Sequence, residues 1–427
     1  MKKIAAPPTR WLARNDTGNY MKYDVAIIGA GPAGIMAAIT AKQNVASVIL
    51  IEKNDAIGRK ILATGNGRCN ITNKSISPKN YHGSNQEFIS SVLSTFDQDK
   101  TIKFFEDLGL ILKEEDRGRM FPRTNQASSV VEILNHELDR LKVEIKLNGE
   151  VKRIESKDGW EILLADGSII KSDKLILTTG GRAAFQFGSS GDGLFWSRNL
   201  GIKIEDIYAA LVPVETKEEW VKEVQGLKAE AEAKFFVDGE QVSKRSGDLI
   251  FTHYGLSGPA IMSQARFVAP FVENNAVTVK LDFMKDHTEK QLDEMIAKMF
   301  NASGAKSVKN ALVGLVPAKL IPIILREANI EEMRNAAEIS KNQRNDIVQN
   351  LKSLTLNITK IRPLKEAQTT RGGISADEMT ADTLESKKFK GLYFAGEIMD
   401  VDGDSGGYNL QWAWSSGFLA GKSASIK

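Results

Sequence analysis

Runs and alternations of apolar residues divide the chain into regions of different texture. Residues 23–28, "YDVAII", are a mostly apolar run suited to a strand buried on both faces of a parallel sheet. An alanine-rich helix is expected from Pro32 to about Lys42, and a second apolar run at 47–51 ends on Glu52. Helical spacing recurs across 85–108, and again after Ser128 or Ser129. Short runs at 142–147, 151–156, 160–164 and 169–171, separated by the polar turns "NGE", "KDG" and "ADG", predict a meander. It leads into a buried strand at 174–178 that ends in "TTGG", then a loop and helix over 188–201.

Near residue 206 the pattern changes to strands, at 211–215, 231–237, 246–252 and 276–283. Residues 284–352 carry amphipathic helical repeats that a small bundle explains, and strand character returns at 353–361. The last segment, 362–427, holds another buried strand at 392–395 and a small-residue helix over 411–420. The expected architecture is α/β. A Rossmann-like domain of residues 21–205 and 362–427 is interrupted by a β-rich domain, 206–283 with its return strand 353–361, which carries the helical insertion 284–352. Residues 1–20, with two prolines and scattered charge, read as a disordered leader.

The first strand and helix are joined by Gly29-x-Gly31-x-x-Gly34. In such a loop the first glycine makes the tight turn, the second lets backbone approach a pyrophosphate, and the third lets helix and strand pack closely. The helix starts at Pro32, and the N–H groups of its first turn, from Ala33 onward, then face phosphate. Glu52 at the next strand end suits the ribose hydroxyls and would repel a 2′-phosphate, so this half does not suit NADP. The loop 54–73, "NDAIGRKILATGNGRCNITN", is too elaborate for a plain connection. Its Arg59, Lys60 and Arg68 suit phosphate or an anionic ring, while Thr64, Asn66, Asn70 and Asn73 offer neutral hydrogen bonds. A second glycine pair, Gly255 and Gly258, lacks the acidic strand end and reads as a structural turn or a second anion cradle.

Composition narrows the chemistry. The chain has 427 residues, 42% hydrophobic and 26% charged, with a formal charge of +3 and no long basic block. Neither nucleic acid nor membrane is an expected partner. One cysteine, Cys69, excludes an intrachain disulfide and points to a reducing, cytoplasmic setting. It also lacks the partner that disulfide reduction uses. The four histidines are scattered, and Asp400, Asp402 and Asp404 around Gly403 read as a turn, so no metal is expected.

The glycine triplet with Glu52, "GRKILATGNGRCNITN", "TTGG" and "GLYFAGEIMDVDGDSGGYNLQWAWSSG" together resemble the YhiN/BaiN-like FAD-dependent flavoproteins, from residue 21 onward. That resemblance implies a Rossmann-like FAD-binding domain interrupted by a β-rich domain with a helical insertion. It implies that Gly29, Gly31 and Gly34 hold the pyrophosphate, Glu52 the adenosine ribose, and Lys60 and the 64–70 loop, including Gly65, Asn66, Arg68, Cys69 and Asn70, the cofactor. Gly180 and Gly181 would pass beside the adenosine half. Gly396, Asp400, Gly407, Tyr408, Asn409 and Leu410 would meet the ribityl chain and flavin. Lys53, Thr179, Gly373 and Glu397 are counted with the same site.

The expected activity is FAD-dependent hydride transfer to or from a small organic molecule, with NAD(P)H as a transient donor although no second intact glycine motif is present. An amine (aminoacetone-like) oxidase using oxygen, a non-catalytic FAD-binding protein and a flavin-dependent tRNA-modifying enzyme stay open. The catalytic candidates are Arg68, His253 and Tyr254. The substrate is expected between the two domains.

Overall fold

The computed structural model describes residues 22–44 and 47–426, so the expected leader lies outside the described residues. The first strand, β1 (Lys22–Ile28), runs parallel to β2 (Val48–Ile51) in the register Val25↔Val48 and Ile28↔Ile51. The helix between them, α1 (Pro32–Lys42), is buried from Ala33 to Ala41. Glu144–Lys146 pairs with the outer edge of β2, and Ile169–Leu177 with the other edge of β1, both in parallel. Five parallel strands, the fifth being Leu392–Phe394, thus form the Rossmann-like core of a seven-stranded sheet.

Two expected strands, 169–171 and 174–178, are one: Ile169–Leu177. Its residues 169–172 pair antiparallel with Gly159–Leu164, and 175–177 pair in parallel with Leu392–Phe394. The polar "KSDK" marks the handover between neighbours. The reverse happens at 211–215. Leu211 has a φ of 50°, and the chain bends there between Tyr208–Ala210 and Val214–Thr216. The former pairs with Thr369–Arg371. The latter enters a closed six-stranded barrel with Gly255–Ser257, Glu240–Phe251, Lys228–Val237, Val277–Asp282 and Leu354–Ile361.

Between the last two barrel strands lie the helices Glu289–Ala302 and Lys341–Ser353, each opened by a capping box, which satisfies N–H groups that the first turn leaves free. Their Leu292, Ile296, Ile347 and Leu351 share an apolar core with barrel residues such as Phe235 and Leu281. A second core joins the sheet, α1 and the C-terminal helix Tyr408–Ala424. That helix lies so close to α1 that a Cβ on Gly417 or Gly421 would stand 2.4 Å from the carbonyl oxygen of Ala33 or Ala37. The middle of the C-terminal helix is thereby held against the start of α1. Among the described residues no helix is long and apolar enough to cross a membrane.

Candidate functional site

A cleft with about 1200 Å³ of free space, counting its mouth open to solvent, runs along the C-terminal ends of the parallel strands, where open α/β sheets bind their ligands. Its floor is the turn after β1. Gly29 has a φ of 105°, and a Cβ there would lie 2.6 Å from the Thr178 carbonyl oxygen. A Cβ on Gly34 would lie 1.8 Å from the carbonyl oxygen of Gly29, so Gly34 closes the helix onto the turn. Gly31 differs: nothing lies within 4 Å of where its Cβ would be. Gly31, Pro32 and Ala33 line the cleft and leave room there for a phosphate.

Glu52 is 8% exposed. One carboxylate oxygen accepts from the Ala30 N–H at 2.8 Å, the other from the backbone and side chain of Asn54 at 2.9 and 2.7 Å. The carboxylate is held in place while keeping acceptor capacity for ribose hydroxyls. Asn54, two residues beyond the expected acid, is a positioning group the motif did not announce.

The walls draw on both ends of the chain. Lys60 forms an ion pair with Glu397, 337 residues later. Glu397 also accepts from the Thr370 N–H and hydroxyl at 3.0 and 2.9 Å. Lys53 pairs with Asp192 at 2.8 Å, and Arg59 with Asp55. Thr64, Thr179, Gly180, Gly396, Asn409 and Leu410 complete the expected residues on the lining. The Gly396 peptide is fixed twice by the C-terminal helix, donating to the Ser416 hydroxyl at 2.9 Å and accepting from the Trp412 indole at 3.2 Å. Asp192, Trp196, Gln368 and Trp412 line the cleft without having been anticipated. Their fold neighbours come from distant segments, which local spacing does not reveal.

Other expected residues lie beside the cleft rather than on it. Gly181 packs against Thr370, and Gly373, with a φ of 146°, against the backbone of Ile398 and Met399. Gly65 and Asn66 form an exposed tip, both with φ of 56°. Asp400 accepts from the Ser84 N–H at 3.2 Å, and burial raises its pKa. Gly407, with a φ of 99°, and Tyr408 start the C-terminal helix. Asn70 sits next to Gly407.

The catalytic candidates are not brought together. Arg68 turns away from the cleft, pairing with Glu115 at 2.9 Å and stacking 4.1 Å above the Phe121 ring. His253 is exposed in a barrel turn. Tyr254 packs edge-on to it and lies under the Arg362 guanidinium. Cys69 is fully buried, and that burial pushes its thiol up to about 12.

The residues fit a flavin dinucleotide. The N–H groups of a helix's first turn have no partner within the helix and favour negative charge. The open space at Gly31, at the start of α1, leaves room for a pyrophosphate, and the fixed Glu52 carboxylate on the cleft offers acceptors to ribose hydroxyls.

Fold and site together define an FAD-dependent oxidoreductase. The model for the HI0933-like protein Rossmann domain matches residues 23–423, and the chain belongs to that family. It is 35% identical to the 3-dehydro-bile acid delta(4,6)-reductase of Clostridium scindens, covering 94% of this chain and 98% of that one. Similarity to the ribosomal RNA dihydrouridine synthase of Escherichia coli is 31%, over 92% and 96% of the two chains. A solved 3-ketosteroid delta1-dehydrogenase from Sterolibacterium denitrificans shares the fold, with a TM-score of 0.52 at 14% identity over 95% and 99%.

Proposed function

We propose that the protein reduces a carbon–carbon double bond conjugated to a carbonyl in a small organic molecule, with a dihydronicotinamide dinucleotide as electron donor. The observation that carries this reading is full-length similarity to two enzymes whose names describe one chemistry. A delta(4,6) 3-dehydro steroid and the uracil ring both present an alkene conjugated to a carbonyl. A small substrate is favoured by the higher identity to the bile-acid enzyme and by a formal charge of only +3 without a basic block. The lone buried thiol fits a cytoplasmic setting.

Bound FAD would supply hydride transfer at its N5. The protein's part is placement and charge. Gly31 and the start of α1 would hold the pyrophosphate, and Glu52 would orient the ribose. The Lys60–Glu397 pair ties the first and last segments across the cleft. The N–H groups of Tyr408–Leu410 favour negative charge at the start of their helix.

The test is to incubate the purified protein anaerobically with NADH or NADPH and a 3-oxo-4,6-diene bile acid, and to analyse the product by mass spectrometry. The expected product has gained two hydrogens. A second reading, reduction of uridine in ribosomal RNA, rests on the similarity to the Escherichia coli enzyme. It predicts an untouched bile acid and dihydrouridine formed in unmodified ribosomal RNA.

A further inference from the structure

Two arginine–aspartate pairs cross the seam between the barrel and the loop that precedes the C-terminal helix, and they differ in one respect. Arg266 and Asp402 are sealed, with side chains 1% and 2% exposed. Arg266 also donates to the carbonyl oxygens of Asp402 and Gly403 at 3.3 and 3.1 Å. The neighbouring set is open. Asp404 is buried, but it accepts from His82 Nε2 at 3.0 Å on one oxygen and from an Arg245 guanidinium nitrogen at 2.7 Å on the other. The His82 and Arg245 side chains keep 27% and 33% of their surface.

The three groups come from the strand Tyr81–His82, the loop before Gly407, and the middle of barrel strand Glu240–Phe251. Asp404 is held by its own N–H, which donates to the Asn80 carbonyl at 2.8 Å. Asn409, which lines the cofactor cleft, clamps the same turn, accepting from the Gly403 N–H at 2.8 Å and donating to the Gly403 carbonyl at 2.9 Å. Phe267 of the barrel side packs edge-on to the His82 ring at 5.4 Å. Asp402 pairs with His82 through the backbone, and Arg266 lies behind it. Tyr81 and Tyr408 flank the turn, with their rings 6.0 Å apart. A buried carboxylate thus presents two partly exposed donors where the two domains meet, on a turn fixed by a residue of the cofactor cleft.

We propose that His82, Asp404 and Arg245 form the substrate end of the reducing site, Arg245 donating to the substrate carbonyl and His82 giving the proton to the carbon beside it. Asp404 orients both and balances their charge. One carbon–carbon π bond is lost and two C–H bonds form. The electron pair arrives as hydride from flavin reduced beforehand by a dihydronicotinamide, and the proton comes from His82, which recovers one from water. The assignment rests on the double-bond reduction proposed above.

The test uses the FAD-loaded protein and a 3-oxo-4,6-diene bile acid. Calorimetry with the oxidised protein reads binding without turnover, and Arg245→Gln should weaken it about tenfold. His82→Gln should bind normally, yet after anaerobic reduction with dithionite it should be reoxidised by the steroid roughly 100-fold more slowly. In heavy water the wild-type product should carry deuterium on one face of the carbon beside the carbonyl, and the His82→Gln product on both. Asp404→Asn should share the slow reoxidation. If His82→Gln and Asp404→Asn match the wild type in rate and stereochemistry, the assignment falls while the proposed activity stands. Loss of FAD from all three variants makes the cluster structural and also overturns it. Failure of the steroid to reoxidise the wild type overturns both readings.

Discussion

Gly31 and Gly34 stand three residues apart in one motif, yet the structure gives their missing side chains opposite reasons. At Gly34 a Cβ meets the Gly29 carbonyl oxygen at 1.8 Å, a backbone contact that has no side-chain escape. At Gly31 φ is −77°, a value any residue adopts, and the Cβ position is empty. Gly34→Ala should therefore destabilise the fold by about 3 kcal/mol or more through overpacking. Gly31→Ala should melt with the wild type while losing at least about tenfold in FAD affinity, equivalent to about 1.4 kcal/mol. Thermal denaturation of the apoprotein and FAD titration separate the two effects. The packing role of Gly34 was readable in advance because backbone needs follow from local spacing. The role of Arg68 was not. Its partner Glu115 is 47 positions away, and that pairing takes the guanidinium off the cleft.

The elements show the same division. The strand–turn–helix unit was legible down to the bounds of α1, because apolar period, proline and glycine all agree there. The loop 54–73 was marked out by its composition, but its shape depends on contacts made later in the chain. Arg68 lies between Glu115 and the Phe121 ring, so the strands Leu112–Glu115 and Arg119–Pro122 anchor the loop. Hydrogen bonds from Arg68 and Lys113 lower the Glu115 pKa to about 2. A carboxyl whose folded pKa is depressed adds stability above its unfolded value and loses it as pH falls through the folded one. Glu115→Gln should accordingly melt below the wild type at pH above about 4.5, with the gap closing as pH falls toward about 2. A gap that stays constant across that range would show that the ion pair contributes nothing to the loop's hold.

At the scale of the whole molecule, the chain returns to its first domain after building a barrel and a helical insertion. That return puts Glu397 against Lys60 and the C-terminal helix against α1. The alternation of textures made the sequence of units readable, and the apolar cores follow it. The seam between them was not readable. His82, Arg245 and Asp404 lie in three separate segments with no common motif, while the adjacent pair His253 and Tyr254 drew attention and packs against Arg362 in a barrel turn. The central claim is that electrons held at this cleft pass into a conjugated double bond. Its most direct test is to reduce the FAD-loaded protein with dithionite, exclude air, and follow the visible spectrum after adding a 3-oxo-4,6-diene bile acid or its saturated 3-oxo counterpart. The account predicts that the unsaturated steroid restores the oxidised flavin spectrum and the saturated one leaves it bleached. Reoxidation by oxygen alone, with both steroids inert, would contradict it.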